Sequence, residues 1–200
     1  HRTSSIPVDV VDALPEETWA ATIDPVEVLG AELPPLRRPV FLAIVANHVL
    51  AQYLARDEVT RPDGFIIEAP SAGGHNAPPR GKLVLDETGQ PVYGPRDVAD
   101  TDKFVTLGLP FWLAGSFGSP DKLREAESLG ARGIQVGTLF AMSRESGFRP
   151  ELQETLRNAL GKDDLQTRTD AVASPTGFPF KVAPVDGTLS VAELGDHREP

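Results

Sequence analysis

The sequence predicts an α/β fold with a parallel sheet built from right-handed βαβ units. Short continuous apolar runs read as strands buried on both faces, and the segments between them carry apolar residues at helical spacing. Gly-containing or otherwise unusual stretches follow the last three of those strands, at the edge where parallel α/β folds bind ligands.

Ile6 to Val11 is a candidate fifth strand ahead of four firmer ones. Leu36 to Arg38 lead into the run from Pro39 to Ala46, the first of the four. Asn47 can then cap a helix whose apolar positions are Val49, Leu50, Tyr53 and Leu54. A turn at Arg61-Pro62-Asp63-Gly64 precedes the second strand, Phe65 to Pro70, and a polar stretch from Ser71 to about Asp97 follows. Loops of that length are functional or mobile far more often than they are plain connections.

The third strand is Pro110-Phe111-Trp112-Leu113-Ala114, ended by Gly115-Ser116. Ser119 is a good N-cap, Pro120 suits the first helical position and Asp121 complements the helix dipole. Leu123, Ala126 and Leu129 make the expected buried stripe, and Gly130 the left-handed stop. Gly133 to Val136 is the fourth strand, ended by Gly137-Thr138. Leu139 to Arg144 reads as a short helix and a longer one starts near Pro150, with Leu152, Leu156, Ala159 and Leu160 apolar. Asp164 to Val182 reads as irregular.

Composition narrows the function. The 200 residues hold 19 Lys plus Arg against 29 Asp plus Glu, a net charge of −10, which argues against a nucleic-acid or anionic-membrane surface. With no cysteine there is no disulfide, thiolate nucleophile or Cys-based metal site. The longest apolar run is too short to span a bilayer, so a soluble cytoplasmic protein is expected. The chain opens at His1 rather than Met and closes at Arg198-Glu199-Pro200, and both ends are expected to be truncations.

Candidate chemistry collects at the strand ends. Gly115-Ser116 and Gly137-Thr138 lie 22 residues apart, one βα unit, and would be neighbours in space. Adjacent strand-end loops with a helix N-terminus form the usual phosphate site of a (β/α)8 barrel; the alternative is a pair of tight turns. Ser116 and Thr138 can add hydroxyl groups to such a site. Ala72-Gly73-Gly74-His75 follows the second strand, and its histidine is either a base beside a flat ligand or a surface residue after a glycine turn. His48 and Glu68 can line the same mouth, or be a solvated first-turn residue and a structural carboxylate. Trp112 and Phe111 read first as packing residues, with flavin stacking the lesser alternative. No Asp, Glu or second His stands at ligand spacing from His75, so no metal is expected.

Taken in order, Gly64-Phe65-Ile66-Ile67-Glu68 with Ala72-Gly73-Gly74-His75, Pro110 to Ser116, Gly130 to Phe140, and Glu145-Ser146 resemble the nitronate monooxygenase (2-nitropropane dioxygenase) family of FMN-dependent (β/α)8 barrels. The related FMN-type enoyl-acyl-carrier-protein reductases share much of the pattern. The resemblance covers residues 38 to 148, and Ser174 to Val182 looks like an extension seen in some members.

It implies the C-terminal half of a TIM barrel, with about four to five parallel strands: a partial FMN-binding barrel over residues 1–148, and a helical and irregular extension over 149–200. A whole barrel takes about 250 residues, so the missing N-terminal half of the barrel is an implied partner and these residues alone would be inactive. The implied cofactor is FMN. Gly115, Ser116, Gly137 and Thr138 would cradle its phosphate, Ala72, Gly73 and Gly74 would lie near the flavin, and Gln135 near its phosphate-side end. His75 would be the catalytic residue, sharing or removing the proton alpha to a nitro group. In the family, dioxygen and an alkyl nitronate give a carbonyl compound and nitrite; redox chemistry belongs to the flavin.

Three departures stand out. Ser116 replaces a usual second glycine, Leu139 stands where arginine is common, and His75 runs into Asn76-Ala77-Pro78-Pro79-Arg80-Gly81 and a long insertion instead of a short glycine turn. Arg80 can meet an anionic substrate group or remain solvated. The alternatives to a nitronate-oxidising enzyme are an NAD(P)H-driven enoyl reductase of the same fold and a non-catalytic phosphate-binding half-barrel of a multi-domain synthase.

Overall fold

The computed structural model describes residues 3–8, 10–11, 14, 16–30, 37–162, 167–171, 174 and 178–191. His1, Leu36, Asp164, Pro175-Thr176-Gly177 and the C-terminal Arg198-Glu199-Pro200, named above or within ranges named above, lie outside the described residues. The chain divides into two compact units, His1–Pro39 and Val40–Pro200.

In the first unit, β1 (Ser4–Val8) pairs antiparallel with β2 (Trp19–Ile23), Ile6 standing opposite Ala21, and α1 (Pro25–Leu29) follows. The Asp24 carboxylate caps α1 by accepting from the Val26 amide at 2.8 Å. This corrects the expectation of a fifth parallel strand from Ile6 to Val11. Pro7 offers no amide to a second neighbour, and proline in a sheet is confined to edges. All five residues of β1 are exposed, so the segment forms an outer hairpin strand and not a buried parallel one.

The second unit is a mixed α/β structure. Its elements are β3 (Leu42–Val45), α2 (His48–Ala55), β4 (Gly64–Glu68), β5 (Gly74–His75), α3 (Thr101–Leu107), β6 (Phe111–Ala114), α4 (Pro120–Ser128), β7 (Ile134–Gln135), α5 (Thr138–Ala141), α6 (Pro150–Gly161), β8 (Arg168–Asp170) and β9 (Phe180–Val182). Four strands form a parallel sheet in the order β3-β4-β6-β7. A second, antiparallel sheet runs β5-β9-β8.

Strand periodicity builds the core. Ala43 and Val45, Phe65 and Ile67, and Phe111 and Leu113 alternate onto one face, where they meet Ala51 of α2, Phe104 of α3 and Ala126 of α4. Phe104 sits between two strand aromatics, edge-on to Phe65 at 6.1 Å and tilted against Phe111 at 5.8 Å. The other face carries the row Ile44, Ile66 and Trp112. Ile44 is 54% exposed, so β3 is covered on one face only, unlike the doubly buried strand its apolar run suggests.

The helices follow their local signals. Asn47 caps α2 by accepting from the Val49 and Leu50 amides at 3.0 and 3.1 Å. Ala51 is the residue α2 buries, while Val49, Leu50 and Tyr53 are exposed; a small side chain lets the helix approach the sheet closely. Ser119 caps α4 by accepting from the Lys122 amide at 3.2 Å, and Gly130 stops that region with φ +88°. Of the expected stripe on α4, Ala126 is buried and Leu129 is exposed. Among the described residues, no helix is long and apolar enough to cross a membrane.

Candidate functional site

The C-terminal ends of β4, β6 and β7 place the sequence candidates side by side. The register aligns Glu68 with Ala114 and Ala114 with Gln135, so these three share the last row of the sheet. Paired residues of a parallel ladder point to the same face. Glu68, Ala114 and Gln135 therefore share the face of Ile66 and Trp112, opposite the helix-packed core.

The loops leave this row in turn. After β4 the chain makes a tight turn, the Ala72 amide donating to the Ala69 carbonyl at 2.9 Å. The Ala69 amide extends the ladder to Ala114 O at 3.1 Å. Gly115 comes next on β6 with φ +96°, so close to that turn that a β-carbon on it would lie 2.9 Å from Ala72 N and from Ser71 Oγ. Ser116 follows with φ +61°, a left-handed backbone in a residue that carries a side chain. Beyond β7, Gly137 precedes Thr138 at the start of α5. A β-carbon on Gly118 would lie 3.5 Å from Leu139 Cγ, which brings the loops after β6 and β7 together. Among the described residues, no neighbouring atom lies within 4 Å of where a β-carbon would be on Gly73, Gly74 or Gly137.

His75 is held from a distant part of the chain. It lies opposite Phe180 in the β5–β9 ladder, and the Asn76 amide donates to the Pro179 carbonyl at 2.8 Å. The imidazole meets the Phe180 ring edge-on at a centroid distance of 4.6 Å. Its Nε2 is 2.7 Å from Ser174 Oγ, across 99 residues of sequence. His75 is exposed, whereas Ser174 is 5% exposed. The next residue, Asn76, is buried and uses its Nδ2 to brace the preceding turn, donating to Ala72 O at 3.0 Å and to Pro70 O at 3.4 Å. Its Oδ1 is buried without a hydrogen-bond partner among the described residues.

A cleft opens at the same edge, between the β3–α2 corner at Asn47, the end of β4 at Glu68, and the insertion, which contributes Arg80, Tyr93 and Asp97. The insertion is built, not slack: the Arg80 amide donates to Asp97 Oδ1 at 2.8 Å, and Asp97 Oδ2 accepts from the Gly94 amide at 2.7 Å. Burial raises the Glu68 carboxyl above its ordinary pKa, and the charge of His75 partly opposes that rise. Tyr93 is also raised, by burial first and then by the nearby Asp97 charge.

Of the residues singled out by sequence, Ala72, Gly73, Gly74, His75, Gly115 and Ser116 gather around the turn after β4. Gln135, Gly137 and Thr138 stand at the adjacent strand end. His75 and the two strand-end glycine pairs do not line the cleft; Glu68 does, and its carboxyl also feels the charge of His75. His48 lies apart, 3.4 Å from Lys103 Nζ. The structure adds Ser174 and Phe180 beside His75, and Tyr93 and Asp97 in the cleft. No local signal marks them, because each gains its place through a pairing or loop closure over many residues.

No family model matches the chain, and no curated protein does. Among solved structures, FabK from Thermotoga maritima is similar at 24% identity, with a TM-score of 0.49 over 71% of this chain and 38% of that one. A mutant of the same FabK is similar at 24% identity, with a TM-score of 0.46 over 71% of this chain and 39% of that one. The chain thus spans less than two fifths of the length of either FabK structure.

Proposed function

We propose that these residues belong to an FMN-dependent oxidoreductase of the nitronate monooxygenase type, which oxidises alkyl nitronates with dioxygen. One observation carries the reading. Three motifs within the family resemblance, Ala72-Gly73-Gly74-His75, Gly115-Ser116 and Gly137-Thr138, follow the C-terminal ends of three adjacent strands of one parallel sheet.

The residues fit a flavin mononucleotide. Among the described residues, space lies beside Gly73, Gly74 and Gly137 where a side chain would otherwise stand, and uncharged backbone donors can hold a phosphate in a chain of charge −10. Gly115, Ser116, Gly137 and Thr138 would hold the phosphate, with Gln135 toward that end, while Ala72, Gly73 and Gly74 would lie along the ring system. When bound, FMN supplies the electron transfer.

The protein's part is to bind, to orient and to hold a proton. His75 takes up or shares the acidic proton alpha to the nitro group at an imidazole nitrogen, since imidazole exchanges protons near neutral pH. The insertion carrying Arg80 and Tyr93 narrows the approach to Glu68 and shapes which substrates reach the strand ends.

The test is a visible spectrum of the full-length protein, followed by turnover. Flavin bands whose extracted chromophore is FMN, together with oxygen consumption and nitrite release on adding propyl nitronate, support the reading. His75→Ala should then cut turnover of neutral 1-nitropropane, which still carries the proton alpha to the nitro group, by about 10²- to 10⁴-fold while the flavin stays bound. Oxidation of NAD(P)H with no response to nitronate would make the protein an enoyl reductase instead. A colourless protein that cannot be reconstituted with FMN overturns both.

A further inference from the structure

We infer that Ser174 is a positioning residue for His75, fixing which imidazole nitrogen is left to meet a substrate proton; this rests on the catalytic reading of His75 above.

Three constraints converge on one ring. Strand pairing opposite Phe180 fixes the His75 backbone. The Phe180 ring, edge-on at 4.6 Å and 81°, limits how the imidazole can tilt. The motion left is a half-turn about the Cβ–Cγ bond, which would exchange Nε2 with a carbon. The Ser174 hydroxyl, 2.7 Å from Nε2, opposes that half-turn, because the flipped ring would present a C–H to Ser174 in place of nitrogen.

Exposure divides the labour. Ser174 is 95% buried and poorly placed to meet substrate itself, while His75 is exposed. An imidazole that serves as a base needs a lone pair on the nitrogen facing substrate. With Nε2 committed to Ser174, that nitrogen is Nδ1, so Nε2 carries the hydrogen and donates to Ser174 Oγ. The same arrangement strengthens once Nδ1 gains a proton, because an imidazolium N–H donates more strongly than a neutral one. Ser174 thus favours the protonated product of the transfer without touching substrate.

The decisive measurement is a long-range ¹H–¹⁵N imidazole spectrum of the full-length protein, in wild type and in Ser174→Ala, Ser174→Thr and His75→Gln. A hydrogen-bonded imidazole N–H is shielded from exchange with water, so wild type should show a proton on Nε2 of His75. His75→Gln, which lacks the signal, assigns it. Ser174→Ala should lose it and Ser174→Thr should restore it. In turnover with neutral 1-nitropropane, whose α-proton His75 must take up, Ser174→Ala should lower kcat about 10-fold and KM less than about two-fold, as expected for one lost hydrogen bond to the charged state. A proton on Nδ1 in wild type, or an unchanged His75 signal in Ser174→Ala, overturns the inference. The spectrum needs no substrate turnover, so it separates the two claims. A protected Nε2 proton in a protein that binds no FMN leaves the Ser174 contact standing and sinks only the oxidoreductase reading. A flavin-loaded, nitronate-active protein without that proton sinks only the role of Ser174.

Discussion

Gly115 lies so close to the turn after β4 that a β-carbon on it would come within 2.9 Å of the Ala72 backbone nitrogen. The loop after β6 therefore packs directly on the segment that leads to His75, and glycine is what permits it.

Gly115→Ala should destabilise the fold by about 2–3 kcal/mol, through strain at φ +96° and displacement of the Ala72 backbone. Gly73→Ala, with open space around it, should change stability by about 1 kcal/mol or less. Urea denaturation of the two variants checks the contrast, and equal losses would remove the packing argument.

Ser116 adopts φ +61°, a conformation that favours glycine. Ser116→Gly should therefore stabilise the protein, because it relieves about 1–2 kcal/mol of left-handed strain against about 0.5–1 kcal/mol for the greater freedom of the unfolded glycine. The thermal midpoint measured by circular dichroism gives the sign, and a fall would mean that the Ser116 side chain makes a compensating contact.

Phe104→Ala should cost about 3–5 kcal/mol, because the ring is 1% exposed and fills the space between Phe65 and Phe111. A loss under about 1 kcal/mol on chemical denaturation would show that α3 does not close the core.

Glu68 gives a pH-dependent test. Its folded pKa is raised, chiefly by burial, so the native state holds the proton more tightly than the unfolded chain does. The stability this contributes is fully present below the unfolded carboxyl pKa and is lost as pH rises through the raised folded value. At neutral pH the ionised carboxylate is a liability, which Glu68→Gln should relieve. The group is half-exposed and screened by solvent, so the gain should be under about 1 kcal/mol at pH 7 and should vanish at acid pH. Denaturation midpoints of both proteins across the acid range measure it; a gain that persists below the ordinary carboxyl range contradicts this cause.

The sequence by itself determined what depends on neighbours along the chain. The strands at Leu42–Val45, Gly64–Glu68, Phe111–Ala114 and Ile134–Gln135, the Asn47 and Ser119 caps and the Gly130 stop are legible because apolar period, capping oxygens and left-handed glycine act within a few residues. Order along the chain also puts the three glycine-containing motifs at strand ends. Tertiary structure decided what depends on distant partners. Ser4–Val8 turned into an antiparallel hairpin because Trp19–Ile23 was there to pair with it. Thr101–Leu107 became a helix around the burial of one aromatic, Phe104, between two strands, a short element with little periodicity to read. His75 acquired Ser174 and Phe180 only when the chain returned after about a hundred residues to form β9. Such closures are set by the entropy of bringing remote segments together against the contacts they gain, and nothing local in the sequence records them.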